Sequence, residues 1–201
     1  MNQKVKATGL LLIALALSLS PYSGSSSLAA AQTQKTESSM SEGDKQAIKL
    51  FESRVNEYMK LRNQVKGKLP KLSKDSTAAQ IETYRKTFEE TLRTARAGAK
   101  RGDVFNSSGS EYIRRTMKTE FDRQDKAEIR KVVFEAENKD VPMRVNYPYP
   151  ESKELTEMPP TILLKLPQLP KEVKYRFVGR NMLLVDRDNN LIIDYMVDAL
   201  P

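Results

Sequence analysis

Apolar residues recur every three or four positions between residues 44 and 70, which is the spacing of one helix face. The apolar members of this series are Ile48, Phe51, Val55, Tyr58, Val65 and Leu69. Arg62 takes the one place in the series where an apolar residue is missing. We therefore predict a helix of about seven turns that ends before Pro70, because proline cannot continue a helix.

A second helix is predicted after a short loop at residues 70–76. Thr77 and Gln80 have the spacing of a capping box, in which each side chain bonds the backbone N–H of the other residue. The apolar face that follows carries Ile81, Tyr84, Phe88, Leu92 and Ala95. Because the connection is short, we expect the two helices to pack as an antiparallel hairpin.

Shorter helices are predicted between residues 107 and 139. The first would bury Ile113, Met117 and Phe121, with Ser107, Ser108 or Ser110 as its N-cap. Residues 125–128 resemble another capping box, and the helix after them would bury Ile129, Val132, Val133 and Ala136. The pattern leaves open whether these are two helices or one kinked helix.

The composition changes after residue 140, since seven of the ten prolines lie between 142 and 170 and forbid long helices there. Residues 143–147 could form a strand, while Tyr147 and Tyr149 could pack as a strap across the core. Pro160 could begin a single helical turn. That turn would hold Ile162, Leu163 and Leu166.

The last thirty residues are rich in β-branched and aromatic side chains. Strands are predicted at residues 174–178, 182–186 and 191–196. The two short connectors between them have the composition of hairpin turns, so a three-stranded antiparallel meander follows. Since one face of a meander must be covered, we predict an α+β fold in which the helical hairpin and the shorter helices cover the sheet.

The N-terminus has the pattern of an export signal. Lys4 and Lys6 precede an apolar run of ten residues, and the Ala-Ala-Ala at 29–31 offers a cleavage site. No cysteine follows the run, so we expect an exported protein of the periplasm or the medium that is not a lipoprotein. The predicted organisation is a signal peptide at 1–31, a flexible leader at 32–43 and one domain at 44–201. The parts of that domain are helical (44–139), proline-rich (140–172) and a meander (173–197).

The composition excludes several classes of chemistry. The chain contains no cysteine and no histidine, which removes thiol catalysis, a Ser-His triad and the usual ligands of zinc, copper and nickel. We expect no cofactor. Lys4 and Lys6 are the charged residues of 1–31, so 32 basic and 26 acidic residues remain, a formal charge of +6. This excess favours anionic partners, although it is also ordinary for a soluble domain.

Four basic residues crowd the predicted end of the second helix: Arg93, Arg96, Lys100 and Arg101. The first three have the spacing of one helix face and form a candidate anion-binding site for phosphate or carboxylate. The alternative is that cations favour the negative end of a helix dipole by about 0.3–1 kcal/mol each. No aromatic residue lies within the cluster to stack a base, which argues against a nucleic-acid partner.

The segment ARAGAKRGDVF, residues 95–105, contains an Arg-Gly-Asp tripeptide and small residues around a lysine. It lacks the spacing of a phosphate-binding loop, and it follows a predicted helix instead of preceding one. We interpret it as a helix terminus, with Gly102 at the first position after the C-cap, where left-handed geometry is tolerated. Val104 and Phe105 are then predicted to return to the core.

The connector between the last two strands contains Asp186, Asp188 and Asn190, and alternating oxygen ligands of this kind open a calcium loop. The sixth position of the loop is Leu191 where a glycine is required, and the twelfth is Val197 where a glutamate is required. A polar β-turn is therefore the favoured interpretation, with a calcium site as the alternative.

Two segments carry a family resemblance. ARAGAKRGDVF and the C-terminal LPQLPKEVKYRFVGRNMLLVDRDNNLIID together resemble an uncharacterised family of exported bacterial proteins. Residues 169–196 also resemble the terminal hairpin of the RcnB-like family, small periplasmic proteins linked to nickel and cobalt homeostasis. That second resemblance implies a shared hairpin and carries no metal site, because the chain has no histidine or cysteine.

We derive two functional hypotheses. The first is a non-enzymatic envelope protein that binds or scaffolds an anionic component or another exported protein. This hypothesis rests on the absence of the residues and motifs that common enzymes use, since the sequence has no nucleophile–base set, no soft-metal ligands and no nucleotide loop. The alternative is a carboxylate-dependent hydrolase of cell-wall or polysaccharide material, which requires two acids held together in a cleft.

Overall fold

The structure, a computed structural model, describes residues 40–123, 143–150 and 160–201. The predicted signal peptide, most of the leader and the helix expected after residue 125 lie outside the described residues. Residues 41–201 belong to one compact unit. Its described elements are α1 (Glu42–Gly67), α2 (Ala78–Ala95), α3 (Ser107–Arg123), α4 (Pro160–Leu163), β1 (Val173–Val178), β2 (Asn181–Asp186) and β3 (Ile192–Met196). This order of elements confirms the α+β class.

Helix α1 begins inside the predicted leader. The side chain of Ser41 accepts a hydrogen bond from the N–H of Asp44 at 3.1 Å and thereby caps the first turn. Four residues of the predicted face are buried together with the arginine: Phe51, Val55, Tyr58, Val65 and Arg62. The two predicted residues at the ends of the series, Ile48 and Leu69, are half-buried. The side-chain pattern that predicted one continuous helix through Arg62 is confirmed, although that position is as buried as its apolar neighbours.

Helix α2 starts at the predicted capping box. Thr77 accepts from the N–H of Gln80 at 3.3 Å, and Gln80 accepts from the N–H of Thr77 at 2.8 Å. Its buried residues are Phe88 and Leu92. Ile81 and Ala95 were predicted on the same buried face, but both are exposed. Side-chain spacing defines a face along the whole helix, whereas burial also requires a neighbour that covers each side chain, and Ile81 and Ala95 are not covered.

Two contacts show that α1 and α2 run antiparallel, as predicted. Near the middle of α1, the Tyr58 ring lies 5.0 Å from the guanidinium carbon of Arg96, just beyond the end of α2. Near the end of α1, the ammonium group of Lys66 lies 5.9 Å from the Phe88 ring. Later residues of α1 therefore meet earlier residues of α2.

Helix α3 is capped by a residue that the sequence did not single out. The side-chain oxygen of Asn106 accepts the N–H of Gly109 at 2.9 Å, which is the N-cap arrangement. The prediction of a serine cap is wrong, because Ser107 lies inside the helix and the hydroxyl of Ser110 donates to the carbonyl of Phe105. The predicted inner residues are buried: Ile113, Met117 and Phe121.

The C-terminal strands form the predicted antiparallel meander in the order β1-β2-β3. Val173 pairs with Asp186 across β1 and β2, and Met182 pairs with Met196 across β2 and β3. An irregularity in β2 between Leu184 and Val185 shifts the register against β3. The sheet is buried on both faces, since one side packs into the main core with the helices and the other into a smaller cluster.

Residues 143–147 do not form the strand that was predicted there. Asn146 is in the left-handed region at φ 65°, and the proline at 148 has no N–H to donate, so a regular ladder cannot continue. The segment instead makes separate backbone hydrogen bonds to Ile192 and Asn190. The strap prediction is confirmed for Tyr149, which is buried, while Tyr147 is half-buried.

The proline-initiated turn is present as the four-residue helix α4. Ile162 and Leu166 are buried as predicted, but Leu163 is 38% exposed and Leu164 points to solvent. One helical turn can present only one side to the core, so neighbouring apolar residues cannot all be covered. None of the described helices combines the length and the apolar character that crossing a bilayer requires.

Candidate anion-binding site

The predicted cation cluster does not lie on one helix face, because α2 ends at Ala95. The side-chain amide of Asn146 donates to the last carbonyls of the helix, those of Arg93 at 2.8 Å and Arg96 at 3.0 Å. This side chain therefore closes the C-terminus of α2 from fifty residues away. Lys100 lies beyond the helix, so the helical spacing that placed it beside Arg93 and Arg96 does not apply.

The Arg-Gly-Asp segment does bind an anion, but the anion is part of the same chain. The carboxylate of Asp194, on β3, accepts the backbone N–H groups of Gly102 at 3.0 Å, Val104 at 2.8 Å and Phe105 at 2.8 Å. Gly102 has φ 91°, so its left-handed geometry is confirmed, whereas its predicted place directly after the helix cap is wrong. Val104 and Phe105 are buried as predicted.

Asp194 is completely buried. Burial raises the pKa of Asp194, while the hydrogen bonds from the backbone N–H groups act in the opposite direction. Both of its oxygens accept these bonds, and one also accepts the N–H of Tyr195. A hydrolytic acid must reach a ligand. This carboxyl group does not, although it is the acid with a raised pKa among the described residues.

Arg93 lies in an open cleft beside the segment 143–150. Its guanidinium carbon is 4.1 Å from the centroid of the Tyr147 ring, and that of Arg144 is 3.7 Å from the same centroid. The volume of this cleft, which we call the Tyr147 cleft, is about 440 Å³. Its polar lining residues are Glu90, Arg93, Thr94, Arg144, Asn146 and Tyr147.

The two arginines of the Tyr147 cleft differ in their partners. Arg93 forms an ion pair with Glu89 at 3.3 Å, one helical turn earlier in α2. Arg144 is exposed, and within the described part of the chain it has no carboxylate partner. Its position is held by the ring of Tyr147.

The other predicted cations are separate from the Tyr147 cleft. One guanidinium nitrogen of Arg96 donates to the carbonyl of Ile193 at 2.9 Å, which directs this side chain towards the sheet. Arg101 lies 5.7 Å from the Tyr195 ring, and Lys100 is exposed. The structure thus keeps Arg93 in the candidate site and adds Arg144 and Tyr147, which the sequence did not connect with it.

Asp186 and Asp188, two of the candidate calcium ligands, form ion pairs with basic side chains of α1. The carboxylate of Asp186 is completely buried and accepts hydrogen bonds from the hydroxyl of Tyr58 and from Nε of Arg62, both at 2.6 Å. Asp188 bonds the other end of Arg62 and also Nζ of Lys66 at 3.0 Å. Asp186 accepts the N–H of Asp188 at 2.8 Å, as in a polar turn.

This buried network shifts the ionisation of its members. Burial and the neighbouring Asp186 raise the pKa of Tyr58 well above its ordinary value. Burial acts to raise the pKa of Asp188, but its bonds to Lys66 and Arg62 lower it overall. Asn190 contributes its left-handed backbone at φ 55°. Among the described residues, no group of three or more acidic side chains is placed to hold a metal ion.

Comparison with protein-family models, with curated protein sequences and with solved structures finds no significant match. The resemblance to an exported bacterial family therefore stays a prediction from the two quoted segments. The functional argument depends on the geometry of this chain alone.

Proposed function

We propose that this chain is an exported, non-enzymatic binding protein that holds an anionic component of the bacterial envelope. The observation that carries the proposal is the placement of two guanidinium groups, those of Arg93 and Arg144, against the single ring of Tyr147. Export is supported by the basic residues, the apolar run and the alanine site at the N-terminus.

The stacking geometry favours a phosphate or carboxylate ligand. Both guanidinium carbons lie within 4.1 Å of one centroid, so the two cations are less than about 8 Å apart, and planar guanidinium groups bind phosphate and carboxylate through paired hydrogen bonds. Each stacked cation gains about 0.5–1 kcal/mol at an exposed site. The ring also limits the rotamers of both side chains, which lowers the entropy lost on binding.

The acids around the cleft limit the class of anion. Glu89 neutralises part of the charge of Arg93, and Glu90 also lines the cleft. A ligand with isolated charges, such as the carboxylates of an acidic glycan or the phosphate of a lipid headgroup, therefore fits better than a dense polyanion. The hydrolase alternative gains no support from the described carboxylates and stays a prediction.

Binding can be tested by calorimetry with trigalacturonate, glycerol phosphate and neutral maltotriose as probes. We expect an anionic probe to bind and maltotriose not to bind. The anion that binds with the higher affinity indicates whether carboxylate or phosphate is the natural ligand group. Arg144→Ala should weaken binding at least about tenfold, because a charge-assisted hydrogen-bonded group contributes ~1.5–3 kcal/mol. The affinity should also fall as salt is added.

Two control variants sharpen this experiment. Lys118→Ala removes one exposed charge from α3, away from the cleft, and should leave the affinity unchanged. Arg144→Lys keeps the charge but loses the planar group that stacks on Tyr147 and should bind at an intermediate level. Equal affinities for the wild type, Arg144→Ala and Lys118→Ala would contradict the proposal.

Export is tested separately by expressing the full chain in a bacterium and fractionating the cells. We expect the protein in the periplasm or the medium, with Gln32 as the new N-terminal residue by mass spectrometry. Recovery of the uncleaved chain from the cytoplasm would show that residues 1–31 are not an export signal. That result would leave the anion-binding test of Arg144 unaffected.

A further inference from the structure

The connection between α1 and α2 is exposed and basic. We call residues 66–81 the hairpin tip, which comprises the end of α1, the connecting loop and the first turn of α2. All of these residues except Leu69 and Ser76 are exposed. The hairpin tip contains four lysines and one aspartate, a formal charge of +3. It therefore presents an accessible positive surface.

Most of this charge is not neutralised by the described residues. Lys66 bonds the carboxylate of Asp188 at 3.0 Å. The other three lysines are exposed and have no carboxylate partner in the described part of the chain: Lys68, Lys71 and Lys74. Asp75 is the one acid of the hairpin tip, so these three lysines leave a local excess of positive charge that attracts anionic partners.

Apolar side chains lie among the lysines. Leu72 is 41% exposed in the loop, and Ile81 is 49% exposed in the first turn of α2. A groove of about 530 Å³ lies at the same place, and its apolar lining residues are Leu69, Pro70, Leu72, Ala79 and Tyr84. Exposed apolar side chains next to lysines are typical of surfaces that lie at the boundary between the headgroups and the acyl chains of a bilayer.

The loop of the hairpin tip is held in place by its own hydrogen bonds. The N–H of Ser73 donates to the hydroxyl of Ser76 at 2.9 Å, and the N–H of Asp75 donates to the hydroxyl of Ser73 at 3.3 Å. The capping box already pairs the N–H groups of Thr77 and Gln80. A partner would therefore bind through the side chains, and the backbone would lose little entropy on binding.

The residue types of the hairpin tip favour a lipid surface over a protein partner. The segment contains no arginine and no aromatic residue, which are the types that dominate the binding energy of protein–protein interfaces. Lysine carries a point charge on a flexible apolar stem and does not require the paired geometry of a guanidinium site. Such side chains suit a bilayer, whose phosphate groups have no fixed positions.

We propose that the hairpin tip docks the protein on the anionic surface of a phospholipid bilayer. Lys68, Lys71 and Lys74 would lie against the lipid phosphates, while Leu72 and Ile81 would enter the boundary between headgroups and acyl chains. The Tyr147 cleft lies beside the other end of α2. The membrane contact does not depend on the function proposed for that cleft.

Co-sedimentation with lipid vesicles tests the proposal. The chain from Gln32 onwards retains the whole compact unit of residues 41–201 and lacks the apolar run of the predicted signal peptide. It should bind vesicles of equal parts phosphatidylglycerol and phosphatidylcholine, and it should bind pure phosphatidylcholine much more weakly. Salt should weaken the binding. Arg144→Ala should bind the anionic vesicles as the wild type does, which separates the hairpin tip from the Tyr147 cleft.

The lysines are tested by a triple variant, in which Lys68, Lys71 and Lys74 become glutamine. One lysine near an anionic surface contributes about fivefold to the partition coefficient, so the triple variant should lose on the order of a hundredfold. The matched control changes three exposed lysines outside the hairpin tip to glutamine: Lys49, Lys100 and Lys118. It has the same net charge and should keep most of the affinity, because charges further than about 8 Å from the surface are screened.

Leu72→Ser tests the apolar contact, with Leu50→Ser on α1 as its control. The two leucines are 41% and 43% exposed, so neither change should alter the melting temperature much. Leu72→Ser should lower the partition coefficient at least about threefold, because part of the transfer free energy of the leucine is lost. Leu50→Ser should bind as the wild type does. Equal binding by the two serine variants would overturn the insertion of Leu72.

The docking of the hairpin tip is overturned if the wild type does not prefer anionic vesicles, or if the two triple lysine variants bind them equally. Polyglutamate serves as a second probe. If the wild type binds polyglutamate but not the anionic vesicles, the lysines form a surface for an acidic protein, and the membrane proposal is wrong. Each of these results leaves the calorimetric test of Arg144 unaffected.

Discussion

Asp194→Asn should lower the free energy of unfolding by about 3–5 kcal/mol, one of the two largest effects expected for a single substitution in this chain. The buried carboxylate accepts backbone N–H groups from Gly102, Val104 and Phe105, and within the described ranges these groups have no other acceptor. An asparagine keeps one acceptor oxygen but turns an NH₂ group towards N–H donors. The segment that connects α2 to α3 would therefore lose its attachment to β3.

The measurement is urea unfolding followed by circular dichroism, with Asp198→Asn as the matched control. Asp198 is an exposed acid near the end of the chain, 3.7 Å from Arg180, and its replacement should cost less than about 1 kcal/mol. Equal stabilities for the two variants would show that the backbone donors of residues 102–105 find other acceptors.

The pH dependence of the same variants gives an independent readout. Because the pKa of Asp194 is raised above 3.8, the folded state holds this proton more tightly than the unfolded state does. Its ionisation therefore reduces stability as the pH rises from about 3.8 through the folded value. Asp194→Asn should remove that downward slope, while Asp198→Asn should retain it.

Arg62→Met should cost about 3–5 kcal/mol of stability, the range measured when one partner of a buried ion pair is removed. Arg62 and Asp186 are both essentially inaccessible to solvent, and their atoms are 2.6 Å apart. Without the guanidinium, the carboxylate would keep two donors among the described residues, the hydroxyl of Tyr58 and the N–H of Asp188. Two neutral donors do not compensate a buried negative charge.

Two further variants separate the loss of the ion pair from the loss of a long side chain. Arg54→Met makes the same change on α1 at an exposed pair with Glu57 and should cost less than about 1 kcal/mol. Arg62→Met combined with Asp186→Asn removes the uncompensated charge and should be more stable than Arg62→Met alone. If Arg62→Met were no more costly than Arg54→Met, the buried network would not be a main source of stability.

Much of the secondary structure could be predicted because its causes are local. The face of α1, the capping box at Thr77 and the three C-terminal strands depend on residues a few positions apart, and each is confirmed. Predictions that needed a covering neighbour were less reliable. Ile81 and Leu163 have suitable apolar spacing, but other parts of the chain do not cover them.

The end of α2 and the absence of a strand around Asn146 could not be predicted from neighbouring residues, because both depend on contacts between distant parts of the chain. Helix α2 stops where Asn146 meets its last carbonyls, and the segment around Asn146 cannot pair as a strand with its left-handed backbone. Neither event has a signal within a few residues of the helix terminus. The sequence therefore overestimated α2 and placed Lys100 on a helix face that does not extend to it.

The sequence by itself determined the α+β class, the positions of most helices and strands, and the chemistry that the chain cannot perform without cysteine or histidine. Only the tertiary structure decided which charges meet. Arg62 lies 124 residues from Asp186, and Asp194 lies some ninety residues from the N–H groups that it accepts. The spacing of apolar side chains determines helices and strands over a few residues. A buried charge, in contrast, pairs with whichever partner the fold brings within hydrogen-bond distance. Tyr147 and Arg144 likewise lie about fifty residues from Arg93, which they meet at one ring, and the Arg-Gly-Asp segment binds the internal carboxylate of Asp194.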